Sequence, residues 1–225
     1  MSPPMTPHWL DPSAKPKLRG VSHQWAFVVS IFTGAVLILL APNGEAMMAA
    51  AIYALSVMAL FGTSALYHRI NWRSLSARRW MRRLDHSMIF VLIAGTYTPF
   101  ALLALDGTLA TAILIVVWSG ALAGVVLQLC WVDAPRLLSA IVYIAMGWVA
   151  LVAYPEMVDK VGITGTALVT AGGILYSVGA IIYATKRPNP VPKVFGYHEV
   201  FHALVIAAAA LHYSVVALIV LPNAA

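Results

Sequence analysis

Seven long stretches of this chain contain no Asp, Glu, Lys or Arg. A helix needs about 20 mostly apolar residues to cross roughly 30 Å of hydrocarbon. Because the stretches are continuously apolar rather than alternating, they predict helices and not the strands of a membrane barrel. Seven transmembrane helices are therefore expected within residues 20–44, 46–68, 86–105, 107–132, 137–155, 161–185 and 200–225.

The composition agrees with a membrane protein. Hydrophobic residues make up 61% of the 225 positions and charged residues only 10%, whereas a soluble domain carries about 25% charged residues. A soluble protein is excluded. The predicted fold is an all-α bundle of seven transmembrane helices, residues 20–225, preceded by a flexible cytoplasmic tail, residues 1–19.

The basic residues indicate which side faces the cytoplasm. Thirteen of the fourteen precede the first stretch or lie in the connections after the second, fourth and sixth; the exception is Lys160. By the positive-inside rule the amino terminus is cytoplasmic and the carboxyl terminus is outside. We expect a multi-pass protein of the inner or plasma membrane. Basic clusters beside spans favour lipid headgroups over nucleic acid as partners.

On this topology, six ionisable residues from three helices share one depth near the cytoplasmic surface. Such residues are costly in a bilayer unless they are paired or hydrated, so they mark candidate functional sites. They are His68 at the end of the second helix, Asp85 and His86 at the start of the third, and His198, Glu199 and His202 at the start of the seventh.

Three of these histidines suit a metal ion. His198 and His202 are spaced i, i+4, so two imidazoles can bind one ion from a single helix. With His68 they would form a three-histidine site with an open fourth position, which is the catalytic pattern for Zn²⁺. Asp85 could then orient a water molecule or accept its proton. Ser64 lies on the face of His68, one turn deeper.

The remaining histidines are expected to stay outside this site. His8 and His23 lie outside or at the margin of the first helix and are expected to be solvated. His86 points about 100° away from Asp85 around the helix, so the two residues are not expected to reach the same ion. His212 is too deep to join the metal and is predicted to be a buried hydrogen-bonding residue.

The segment from His198 to His202 also matches the HExxH pattern of zinc proteases, in which Glu199 would be the general base. The pattern is short. It leaves an intramembrane metalloprotease as an alternative, although no downstream acidic residue within the membrane completes such a site.

Three motifs resemble a known family. They are Ser64-x-x-x-His68, the segment from Asp85 to Phe100, and Gly196-Tyr-His-Glu-Val-Phe-His202. The sequence resembles the progestin and adipoQ receptor family, and within it the bacterial hemolysin III branch, over nearly the whole chain after about residue 18. The resemblance implies a cytoplasm-side zinc site held by the three histidines, with Asp85 and Ser64 as catalytic residues beside the ion.

The leading functional hypothesis is a zinc-dependent hydrolase of lipid amides, such as a ceramide-like lipid that enters sideways from the bilayer. Animal receptors of this family are linked to ceramidase activity, so the resemblance suggests the substrate class. Two alternatives come from other functional classes. One is a receptor or regulator of membrane homeostasis in which zinc is structural, and the other is a pore-forming cytolysin.

Overall fold

The computed structural model describes residues 15–131 and 133–224. Apart from one isolated bridge between Val191 and Phe195, their regular structure is helical. The predicted all-α class is confirmed. The helices are α1 (Val21–Leu39), α2 (Gly44–Arg69), α3 (Leu75–Leu103), α4 (Gly107–Cys130), α5 (Arg136–Gly147), α6 (Tyr154–Thr185) and α7 (Tyr197–Val215). A 3₁₀ segment, Trp148–Ala153, joins α5 to α6, and a π-helical turn, Val216–Val220, follows α7.

Within the described part of the chain, six helical segments are long and apolar enough to cross a membrane. Four of them are α1 to α4, the fifth is the continuous stretch Arg136–Thr185, and the sixth is Tyr197–Ala224. The count differs from the predicted seven because α5, the 3₁₀ segment and α6 follow one another without a break. The predicted tail falls largely on residues 1–14, which lie outside the described residues.

The stretch Arg136–Thr185 does not form one straight rod. Its 50 residues would extend about 75 Å as a straight helix, more than twice the thickness of the hydrocarbon layer. Instead, α5 packs against α6. Gly162 interrupts the helical backbone within α6, with φ of 79°. A positive φ is a conformation that glycine adopts easily, so the chain can change direction here.

Polar contacts define two ends of the bundle. At the basic end, α1, α3, α5 and α7 begin; Lys17 and Leu18 donate backbone hydrogen bonds to Lys193 and Val194 there. At the opposite end the Asn43 side chain donates to the carbonyl of Ala224. The Asp106 carboxylate also pairs with Lys160 at that opposite end.

Helix α3 begins earlier than the apolar stretch predicted, at Leu75, where the Ser74 hydroxyl accepts a hydrogen bond from the Ala77 amide. Asp85 therefore lies within a continuous helix rather than at its start. Close packing fixes the position of α3. A side chain at Gly95 would overlap Ser56 of α2, and one at Gly124 of α4 would overlap the buried Phe90 ring.

Candidate metal centre

Three buried histidines meet at the basic end of the bundle: His68 near the end of α2, and His198 and His202 in the first turns of α7. Each offers one nitrogen, and these three atoms lie within 4.8 Å of one another. The Nε2 atoms of His68 and His198 are 3.0 Å apart. The residues that the sequence proposed as ligands could therefore hold a metal ion.

One pair of these nitrogen atoms has the spacing expected for two ligands of a small tetrahedral ion. With metal–nitrogen distances of about 2.0–2.1 Å, two ligands of a tetrahedral zinc site lie roughly 3.3 Å apart. The observed 3.0 Å between His68 and His198 is close to this value. Imidazole without thiolate suits Zn²⁺, Cu²⁺ and Ni²⁺ better than Mg²⁺ or Ca²⁺.

The start of α7 is held by Glu199. One of its carboxylate oxygens accepts a hydrogen bond from the backbone amide of Gly196, which satisfies a donor that the helix leaves free. The other oxygen pairs with Arg19, from the segment before α1. Glu199 is only 1% exposed. The glutamate of the HExxH pattern is thus occupied in fixing the helix that carries two of the histidines.

Asp85 lies beside the histidine cluster. Its Oδ2 atom is 3.7 Å from Nε2 of His68 and 3.7 Å from Nδ1 of His86. The Ser64 hydroxyl is also close enough to interact with this carboxylate. Ser64 is buried, as is Asp85. The structure therefore brings together the serine, the aspartate and the three histidines that the sequence singled out.

His23 was expected to be solvated, and this expectation is wrong. The residue is only 2% exposed, because α1 begins at Val21 and turns this side chain into the bundle. Its Nδ1 atom is 2.8 Å from the Ser64 hydroxyl. Its ring stacks on His202, with centroids 3.6 Å apart and planes 8° apart. A histidine near a span end gave no signal of these contacts in the sequence.

Both ring nitrogens of His86 form hydrogen bonds with groups outside the three-histidine cluster. Nδ1 lies 2.9 Å from the carbonyl of Arg82 and donates to it, so Nε2 is left to accept from the hydroxyl of Tyr183, at 3.0 Å. The prediction that His86 stays out of the metal set agrees with these bonds. Tyr183 was not found by sequence reasoning, because a tyrosine near the end of an apolar helix is common.

His212 lies deeper in the bundle and is buried. Its Nε2 atom is 3.0 Å from the carbonyl of Val169 in α6. The prediction of a buried hydrogen-bonding histidine is confirmed. His8 lies outside the described residues.

A cavity of about 120 Å³ opens beside the histidines. Ser64, Asp85, His198 and His202 line it at the basic end, and its walls are otherwise mostly apolar and aromatic. Towards the middle of the bundle lies a second cavity of about 80 Å³. Both cavities are lined by Tyr97, Trp148 and His212. The polar centre therefore borders an apolar space that extends towards the middle of the bundle.

Positive charge surrounds the basic end. The pKa of Lys15 lies below its usual value of 10.5 because the ammonium group is partly buried and because Arg78, Arg19 and Arg69 lie nearby. Farther along the same end, Arg82 pairs with Asp133 at 2.7 Å.

Fold and site together define a multi-pass helical membrane protein with a buried three-histidine centre. The Haemolysin-III related family matches this sequence over residues 13–213. The chain belongs to this family, which confirms the resemblance predicted from the motifs, and it is a multi-pass protein of the cell membrane.

Relatives share most of their length with this chain. It is 36% identical to the hemolysin-3 homolog of Bacillus subtilis (strain 168), over 85% of this chain and 88% of the relative. It is 33% identical to hemolysin-3 of Bacillus cereus, over 92% of each chain. The human monocyte to macrophage differentiation factor is 25% identical, over 85% of this chain and 79% of the relative.

Proposed function

We propose that this protein is a zinc-dependent hydrolase of lipid amide bonds. The observation that carries the proposal is the contact between the three-histidine cluster, the Asp85 carboxylate and an apolar cavity. A hydrolase needs an ion site, a proton acceptor and room for the substrate, and here His198, His202 and Asp85 line the same cavity. His68, His198 and His202 would hold the ion, with a fourth position left for water or substrate.

Zinc, when bound, supplies a Lewis acid that polarises a carbonyl and acidifies water. Asp85 would then accept the proton of the attacking water at Oδ2 and pass it to the leaving amine. Ser64 would hold the Asp85 carboxylate in place. Its own position is fixed by the hydrogen bond to His23.

The cavity supports a lipid as the substrate. Its lining is largely apolar, so it suits a hydrocarbon chain, while the reacting group would stay among the polar residues at the basic end. On the topology proposed below, the site would lie near the level where a lipid headgroup meets the acyl region. A substrate could therefore enter sideways from the bilayer.

We also propose seven crossings, with the amino terminus in the cytoplasm. The reversal within Arg136–Thr185 supports two crossings in that stretch. Residue 15 lies at the basic end, whereas Ala224 contacts Asn43 at the opposite end. Chain ends at opposite ends of the bundle require an odd number of crossings.

The second candidate is a regulator or receptor in which zinc is structural. It is favoured by the fact that the histidines come from α2 and α7, so an ion would tie these helices together. Two relatives carry the name hemolysin-3, so a cytolysin is the third candidate. The metalloprotease ranks lowest, because Glu199 already binds Arg19 and the Gly196 amide.

Turnover by the purified protein tests the proposal. Zinc-loaded protein in detergent or vesicles should release fatty acid from an N-acyl sphingoid lipid, lose this activity after treatment with a chelator, and regain it when zinc is returned. Zinc-loaded, folded protein that cleaves no N-acyl lipid would argue for the structural role instead.

A further inference from the structure

We propose that His23 is a positioning residue for the metal centre, which holds the ring of His202 by stacking and holds Ser64 by a hydrogen bond. His23 is not one of the proposed ligands. Its assignment rests on the metal binding in the proposed function, but it does not require that the protein turns over a lipid. The sequence assigned no role to this residue, and the proposal is drawn from its contacts.

Metal-binding histidines are normally oriented by a hydrogen bond from the ring nitrogen that does not bind the metal. At His202, Nδ1 is buried and has no hydrogen-bond partner within residues 15–131 and 133–224, so no hydrogen bond at that nitrogen orients the ring. Its ring lies instead flat against His23, with centroids 3.6 Å apart. The stack supplies the orientation that a hydrogen bond provides elsewhere.

The His23 ring is itself held firmly. The Phe61 ring meets it edge-on, with centroids 5.0 Å apart and planes at 64°, so His23 lies in contact with Phe61 as well as His202. Nδ1 is fixed by Ser64 at 2.8 Å. A ring that is buried and held in this way loses little further freedom when its neighbour binds an ion.

The backbone before His23 also packs against the residues of the site. Gly20 has φ of 78°, and a Cβ atom there would lie 2.6 Å from Cβ of His68. Arg19 pairs with Glu199, one residue from His198. The start of α1 therefore contacts both helices that carry the histidines, which explains how a residue on α1 can set the geometry of a centre on α2 and α7.

Two substitutions of His23 distinguish its stacking on His202 from its hydrogen bond to Ser64. His23→Phe keeps an aromatic ring to stack on His202 but loses the bond to Ser64. His23→Asn keeps a short polar group near the position of Nδ1 but loses the stack. Trp25→Leu is the matched control, because Trp25 is on the same helix and is exposed.

Metal affinity by chelator competition and the absorption spectrum of the cobalt-substituted protein are the readouts. His23→Asn should weaken metal binding by roughly tenfold or more and change the cobalt spectrum. His23→Phe and Trp25→Leu should bind metal nearly as the wild type does. Thermal unfolding of the metal-free proteins checks that all variants fold, and His23→Gln replaces His23→Asn if that protein does not.

Wild-type affinity and spectrum in His23→Asn would overturn the assignment. Equal losses in His23→Phe and His23→Asn would also overturn it, because stacking would then not be what holds His202. A wild-type protein that binds no metal would instead overturn the proposed metal centre itself, so the two failures are distinguishable.

Discussion

Oδ2 of Asp85 lies 3.7 Å from Nε2 of His68, the same nitrogen that faces Nε2 of His198 at 3.0 Å. The carboxylate thus lies next to the proposed ligand atoms but farther from them than these two nitrogens lie from each other. A group at this position can exchange a proton with a molecule bound at the open site. It also lies on a different helix from all three histidines, so its placement depends on the packing of α3 against α2.

Loss of any one of the three histidines should remove most of the bound metal. His68→Ala, His198→Ala and His202→Ala each leave only two imidazoles, which bind zinc far more weakly than three. Zinc per chain in purified protein, measured by elemental analysis, should fall from about one to a small fraction. His212→Ala should keep its zinc, since His212 bonds Val169 instead. Full zinc in a His198→Ala, His202→Ala double variant would remove the site assignment.

Reporter fusions should give opposite signals at the two ends of the bundle. A reporter in the loop at Arg73 should be cytoplasmic, because that loop carries much of the positive charge. Reporters at Asp159 and at the carboxyl terminus should lie outside. A carboxyl-terminal signal equal to the signal at Arg73 would mean an even number of crossings and would contradict the proposed topology.

Removal of Arg19 should destabilise the protein more than neutralisation of Glu199. Arg19→Ala leaves a buried carboxylate without its charged partner, which typically costs about 3–5 kcal/mol. Glu199→Gln removes the charge and can keep part of the hydrogen bonding, so we expect a mild loss. The double variant should be more stable than Arg19→Ala alone. Thermal unfolding in detergent, measured as the loss of the helical circular dichroism signal with temperature, ranks the stability of the three proteins.

The same Glu199→Gln protein also tests the protease alternative. We expect it to keep its zinc and its lipid turnover, because the glutamate holds α7 and does not act as a base. A zinc-loaded but inactive Glu199→Gln protein would favour the metalloprotease.

Partial filling of the larger cavity should reduce activity without affecting metal. Ala140 is buried and lines this cavity, so Ala140→Leu extends a side chain into the space proposed for the hydrocarbon chain. Turnover should fall most for long acyl chains and least for short ones, while zinc content stays at about one per chain. Leu138→Ala, at a partly exposed position on the same helix, is the control. Equal loss for all chain lengths would contradict the proposed path of the lipid.

The sequence predicted the helical class and the family well, because apolar length and motif spacing are local properties. It also selected His68, Asp85 and His202, since the charge pattern put their helix ends at one depth. The number of crossings differs between sequence and structure, because the stretch Arg136–Thr185 is helical through its reversal and counts as one apolar segment where the sequence predicted two.

The buried position of His23 could not be predicted in this way. A histidine at the margin of a helix is normally solvated, and only the rotation of α1 decides whether it faces lipid, water or the bundle. That rotation depends on contacts of Arg19 and Gly20 with α7 and α2, which are distant in the sequence. Tyr183 was missed for the same reason, because its hydrogen bond to His86 joins two residues that are distant in the sequence.

Asp85→Asn tests most directly whether zinc in this protein is catalytic. The substitution keeps the size of the side chain and part of its hydrogen bonding but removes the proton acceptor. We expect a protein with wild-type zinc content, a thermal midpoint close to that of the wild type, and lipid amide turnover reduced by at least about 100-fold, as expected for loss of a general base. An Asp85→Asn protein that keeps both its zinc and its turnover would contradict the assignment of Asp85 as the general base of a zinc hydrolase.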